Sequence, residues 1–90
     1  MVQIQPINIW VNGQQEQGNE LYAQVVNDNL KDTAIFLWVI YQIVDTINIQ
    51  LTQGNLTMSG EDYINWNTET DINAAAYLWI ADQLSLTIIS

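Results

Sequence analysis

Residues 34–44 read Ala34-Ile35-Phe36-Leu37-Trp38-Val39-Ile40-Tyr41-Gln42-Ile43-Val44 (AIFLWVIYQIV), with eight apolar residues unbroken from Ala34 to Tyr41. A helix that spans a bilayer needs roughly 20 apolar residues, so this run is too short for that role. Its β-branched and aromatic content favours a strand. Alternation in a strand puts Ala34, Phe36, Trp38, Ile40 and Gln42 on one side. Ile35, Leu37, Val39, Tyr41 and Ile43 then lie on the other. Both sides call for burial, so the stretch reads as a central strand covered on two faces. A chain of 90 residues must find two covers for it.

The segments on either side supply strands and turns. Residues 2–11 form a strand with a phase change: Val2 and Ile4 share one phase, and Ile7, Ile9 and Val11 share the other. Pro6 sits at the change, as expected for an edge position or a bulge. Trp10 opposes Ile9 and Val11. It is either an interface anchor or a core residue covered by another segment, and the second placement is preferred. Asn12-Gly13 signals a turn, and the polar run 14–19 is expected to continue it as a long mobile loop. Residues 20–27 give a second strand, followed by a polar turn around Leu30. Asp45-Thr46 ends the central run with a hairpin reversal, and residues 48–58 form a fourth strand. Gly54 marks a bulge or a close backbone approach.

The periodicity changes after Met58. Ser59-Gly60-Glu61-Asp62 fits a capping box with Ser59 as N-cap, and a short helix is expected over residues 60–67. A second helix covers residues 71–84, capped by Thr70 or Asp71. Ile72, Ala75, Ala76, Trp79, Ile80, Gln83 and Leu84 share one face. Ala74, Tyr77, Leu78 and Ala81 form a second apolar stripe, which predicts burial on more than one side. The chain ends in strand-like residues 86–89. The expected fold is therefore α+β: a four-stranded antiparallel β-meander over residues 2–58, a helical part over 59–85 packed on one face, and a possible short final strand at 86–89. All of this forms one domain, 1–90. The longer helix is expected to cross the sheet near the central strand.

Composition narrows the function. Charged residues make up 12% of the chain, about half the usual quarter, and ten Asn and ten Gln supply polarity instead. Ten acids face one base, Lys31, for a net charge of −9. That balance argues against nucleic-acid backbones and anionic membranes, both of which are held by Lys and Arg. The acids are too scattered for a DNA mimic; solubility explains them better. Without His or Cys, most zinc and transition-metal sites and the usual nucleophilic triads are excluded, and no disulfide can form. No glycine-rich phosphate loop is present. Glu61-Asp62 and Glu69 with Asp71 are the only close carboxylate pairs, and capping and solvation account for both. Asp28/Asp32 and Asp71/Asn73 match no complete calcium loop. Asn55-Leu56-Thr57 fits the glycosylation pattern, but no positively charged leader precedes an apolar segment, so no secretory signal is expected. The chain is read as a non-enzyme without cofactor or metal, and the initial Met fits an unprocessed product.

The second half carries a resemblance. Residues 53–63 (QGNLTMSGEDY) with Trp66, then Ala76-Tyr77 and residues 81–87 (ADQLSLT), resemble small uncharacterised structural or accessory proteins of tailed bacteriophages. The resemblance implies a virion component made in the bacterial host cytoplasm, with no family active site to carry over. Two short helices cover one sheet face, so a homo-oligomer partner or another virion protein is expected on the second. The interface candidates are Trp10, Ile35, Leu37, Val39, Tyr41 and Trp66. If Phe36, Trp38 and Ile40 meet the helices, a charge at Val39 is expected to dissociate subunits before unfolding them. Tyr22, Tyr63 and Trp66 suit a polar-edged surface, which keeps a carbohydrate-binding module as an alternative. The acidic balance leaves a third reading, an inhibitor of a basic host protein.

Overall fold

The computed structural model describes residues 1–89. Four strands, β1 (Val2–Val11), β2 (Gln14–Asp28), β3 (Thr33–Val44) and β4 (Ile47–Ser59), precede two helices, α1 (Gly60–Asn67) and α2 (Ile72–Gln83). The strands form one antiparallel sheet in the order β1-β2-β3-β4, and both helices pack on one of its faces. The α+β meander read from the sequence is the observed fold, with β3 inside it.

Local chemistry accounts for each reversal. Asn12 and Gly13 both adopt positive φ, +51° and +78°, the pairing that a two-residue hairpin turn of matching twist requires. The polar run after it is therefore not a loop: Gln14–Gly18 pairs with Ile7–Val11 as the start of β2. Backbone pairing dictated by the Asn-Gly turn outweighs the polarity of the side chains. Between β2 and β3, the Asn29 Oδ1 accepts hydrogen bonds from the backbone N–H groups of Lys31, Asp32 and Thr33 at 2.9, 3.0 and 3.0 Å. Leu30, at φ +59°, is left at the tip.

Irregularities in pairing keep the apolar residues on one face. β1 shifts register between Gln3 and Ile7, so Ile4 before the shift and Ile7 and Ile9 after it all pack on the same core. This is the phase change at Pro6 read from the sequence. In β4, Ile40 pairs with Thr52 and Tyr41 with Gln50, which leaves Leu51 as the extra residue. Gly54 is the close approach rather than the bulge. A Cβ built there would lie 2.5 Å from Trp38 Cζ2, because the indole lies across the glycine of the neighbouring strand.

The core joins sheet and helices. Ile4, Leu21, Phe36, Met58 and Ile80 are essentially sealed from solvent, each worth roughly 1.5–3 kcal/mol of burial. Phe36 meets Trp66 edge to face at 5.4 Å between ring centres and Trp79 at 6.0 Å. Backbone approaches place α1 over β4 and β3 and α2 closest to β2. The Tyr77 hydroxyl anchors α2 there, accepting from Ala23 N at 3.2 Å. The longer helix thus packs near the central strand, where Trp79 meets Phe36, with its backbone closest to β2.

The caps differ in kind. Asp71 accepts from Ala74 N at 3.1 Å as expected of an N-cap. Ser59 occupies the N-cap of α1 without a side-chain hydrogen bond. The turn at Gly60, φ +62°, starts the helix, and Asp62 instead accepts from Trp79 Nε1 at 3.3 Å. The expected capping box is not formed. At the end of α2, Leu86 N donates to Ala81 O at 2.7 Å and Ser85 N to Asp82 O at 3.2 Å. With Ser85 at φ +58°, this is a Schellman motif that uses Ser where Gly is usual. The last residues then run beside β1. Ile88 bridges Ile4, with Gln5 N bonded to Thr87 O and Ile89 N to Gln3 O, so the final segment forms a single bridge.

Candidate interaction surface

The sheet is much longer than its helical cover. Strands of 12–15 residues extend roughly 40–50 Å, and the long axis of the molecule is 41 Å. Helices of 8 and 12 residues extend only about 12 and 18 Å. The distal part of the covered face, near the two tight turns, therefore lies beyond them. A shallow cleft there is lined by Val11, Glu16, Gln42, Ile49 and Leu51. Gln42 Nε2 donates to Glu16 Oε2 at 3.2 Å across it. Beside the cleft, Val44, Ile47 and Ile49 are exposed, and Val44 faces Ile47 across the hairpin.

The second face of β3 is better covered than the sequence suggested. Each outward residue stands between two mostly polar ones: Ile35 between Asn27 and Thr57, Leu37 between Gln24 and Asn55, Val39 between Tyr22 and Gln53, Tyr41 between Glu20 and Gln50. These cross-strand partners flank the aliphatic row on both sides. Val39 is 4% exposed, while Ile35, Leu37 and Tyr41 are half-buried. The burial demand that pointed to a partner on this face is met in large part by the chain itself. A charge at Val39 would be buried within the single chain, so it is expected to unfold the chain rather than only separate subunits.

The tryptophans divide. Trp66 is 7% exposed. It packs against Phe36 and Tyr63 and donates from Nε1 to Ile72 O at 2.8 Å. It is a core residue and leaves the interface set. Tyr63, 3% exposed, leaves the polar-edged surface with it. Trp10 moves the other way. Opposite Gln15 on β2, it is 73% exposed on the face away from the helices, so the preferred core placement is overturned. The second apolar stripe of α2 is split: Ala74 and Leu78 are exposed, Tyr77 is half-buried, and Ala81 is buried beside Ala76 and Ile80 of the first face, whose Ile72 is exposed.

The sequence reasoning missed the β4 edge. β1, β3 and β4 carry no charged residue, and residues 46–60 form an unbroken uncharged stretch. Exposed edge strands are commonly blunted by Lys, Pro or a covering segment. β1 has Pro6 and the bridge to Ile88. β4 has neither, only its bulge at Leu51. The signal was legible as a long uncharged strand at the end of the meander order.

Ionisable groups cluster modestly at the β2–β3 turn. Tyr63 donates its hydroxyl to Asp28 Oδ1 at 2.7 Å. That bond, burial and the charges of Asp28 and Asp32 hold the phenol above its ordinary range. Hydrogen bonds from Asn29 and Thr33 hold the Asp32 carboxyl below its ordinary value. Among the described residues no group of three or more acidic side chains is arranged to hold a metal, and no helix is long and apolar enough to cross a membrane. No family model, curated protein or solved structure matches this chain.

Proposed function

We propose that this chain is a small non-enzymatic assembly protein of a bacteriophage particle, acting by self-association or by docking on a larger virion protein. The virion setting rests on the resemblance carried by residues 53–89. The observation that supports assembly is the distal end of the sheet. Exposed Val44, Ile47 and Ile49 continue a buried core beyond the reach of the helices, beside an uncharged edge strand. Such surfaces work by burial and backbone pairing. The acidic remainder, net −9, keeps the free protein soluble and disfavours indiscriminate contacts.

Sedimentation at micromolar concentration tests self-association, and mass spectrometry of purified particles tests the virion setting. A chain that stays monomeric and is absent from particles would remove the reading. Trp10 favours a second reading, carbohydrate binding, because an exposed indole facing Gln15 is a stacking platform with an amide beside it. A broad glycan array returning no Trp10-dependent signal would count against it.

A further inference from the structure

β4 is complementary to itself. Its residues take their positions along the sheet from their partners on β3, and Leu51 has no partner. With Leu51 set aside and Gln53 placed on a two-fold axis, an antiparallel second copy brings Ile47 opposite Met58 and Ile49 opposite Leu56. Thr52 then meets Gly54, Gln50 meets Asn55, Asn48 meets Thr57, and Gln53 meets Gln53. Ile47, Ile49, Leu56 and Met58 on the helix-covered face thus each meet an aliphatic residue, while Leu51, which turns toward Gly18 on that face, has no counterpart. Every polar residue on the open face meets a polar one. The bulge produces this match: by adding one residue, it moves Ile47 and Ile49 onto the same face as Leu56 and Met58.

We infer that two copies of this chain pair through their β4 edges, antiparallel about Gln53, to form one continuous eight-stranded sheet. This rests on the self-association reading above and specifies its surface. The occupant is a second copy because the pairing pattern is palindromic, and because the uncharged stretch 46–60 lets two strongly acidic chains approach without opposing carboxylates along the strand. The arrangement also answers the short helical cover. The distal half of one sheet lies beside the helical half of the other. The α1 of the second copy, which sits over its own β4 and carries exposed Ile64, is brought alongside Ile47 and Ile49. Isologous pairing closes the assembly, as a two-fold requires.

The chain has no cysteine, so single-cysteine variants report the geometry directly. Directly opposed residues in an antiparallel pair have Cβ atoms about 4.5–5.5 Å apart, near the span of a disulfide. Gln53→Cys, an exposed position, should convert under mild oxidation to a reducible covalent dimer with unchanged circular dichroism. Thr57→Cys should cross-link at least tenfold less, because its counterpart lies roughly 27 Å away at about 3.4 Å per residue. A mixture of Asn48→Cys and Thr57→Cys should cross-link again. Equal cross-linking of Gln53→Cys and Thr57→Cys would reveal random collision and overturn the pairing. A dimer by sedimentation without cross-linking at Gln53→Cys would overturn this interface and leave self-association standing. Species that keep growing with concentration would indicate head-to-tail edge pairing and overturn the two-fold. A monomer throughout would remove both.

Discussion

Gly54→Ala tests the packing of the sheet on its own central strand. A Cβ at this position would stand 2.5 Å from Trp38 Cζ2, 2.8 Å from Cε2 and 3.1 Å from Nε1. Ordinary carbon contacts begin near 3.5 Å, so the indole must retreat by roughly 1 Å. Trp38 lies in the most apolar strand and packs against the core, which limits that retreat. Overpacking of this kind costs about 1–3 kcal/mol; removing a glycine from a strand returns roughly 0.5–1 kcal/mol. The net expectation is a loss of about 1–2 kcal/mol, or roughly 4–16 °C in Tm for a domain of this size. Urea unfolding followed by far-ultraviolet circular dichroism measures it. In a Trp38→Leu background the clash is gone, and Gly54→Ala should be neutral or slightly stabilising. An equal loss in both backgrounds, or none in the wild type, would show that the Trp38 indole does not limit what fits at position 54.

Other perturbations have defined directions. Val39→Asp buries an unpaired carboxylate and should destabilise the chain by about 3 kcal/mol or more; dissociation to a folded monomer would show that Val39 faces a subunit interface after all. Ser85→Gly relieves the left-handed C′ position of α2 and should stabilise by about 0.5–1 kcal/mol in chemical denaturation; a loss would contradict the cap. Tyr63 holds its proton more tightly in the folded state, so the folded chain binds more protons than the unfolded one above pH about 10. The stabilisation is complete below that pH and declines as pH rises through the folded value. Phenolate absorbance should show one tyrosine ionising late, and Asp28→Asn should bring it forward.

The order of elements was legible because each reversal carries its own chemistry. Asn12-Gly13, Asp45-Thr46 and the apolar periodicities at either side placed the strands, and α1 spans the residues that the pattern assigned to it. What was not legible depended on distant partners. Gln14–Gly18 looks like loop until Ile7–Val11 is set against it. Ser59 looks like a capping side chain, but the conformation of Gly60 and the indole of Trp79 leave it without that bond and redirect Asp62. Trp10 and Trp66 are alike as residue types; only the approach of Phe36 and Tyr63 makes one core, and only the lack of any cover leaves the other exposed. The second face of β3 shows the largest difference between expectation and structure, because Val39 there is already buried by the chain itself. Alternation identified its residues correctly, but pairing register was needed to show that Gln24, Gln53 and Asn55 flank them. The proposed assembly therefore rests on the exposed distal sheet and the β4 edge rather than on that face.

Sedimentation equilibrium of the unmodified chain is the most direct test of assembly, from about 1 to 200 μM in ~0.15 M salt, where charge repulsion between acidic chains is largely screened. A reversible shift from the 10.3 kDa chain to twice that mass, with no larger species, is expected. A single 10.3 kDa monomer across the whole range would contradict it.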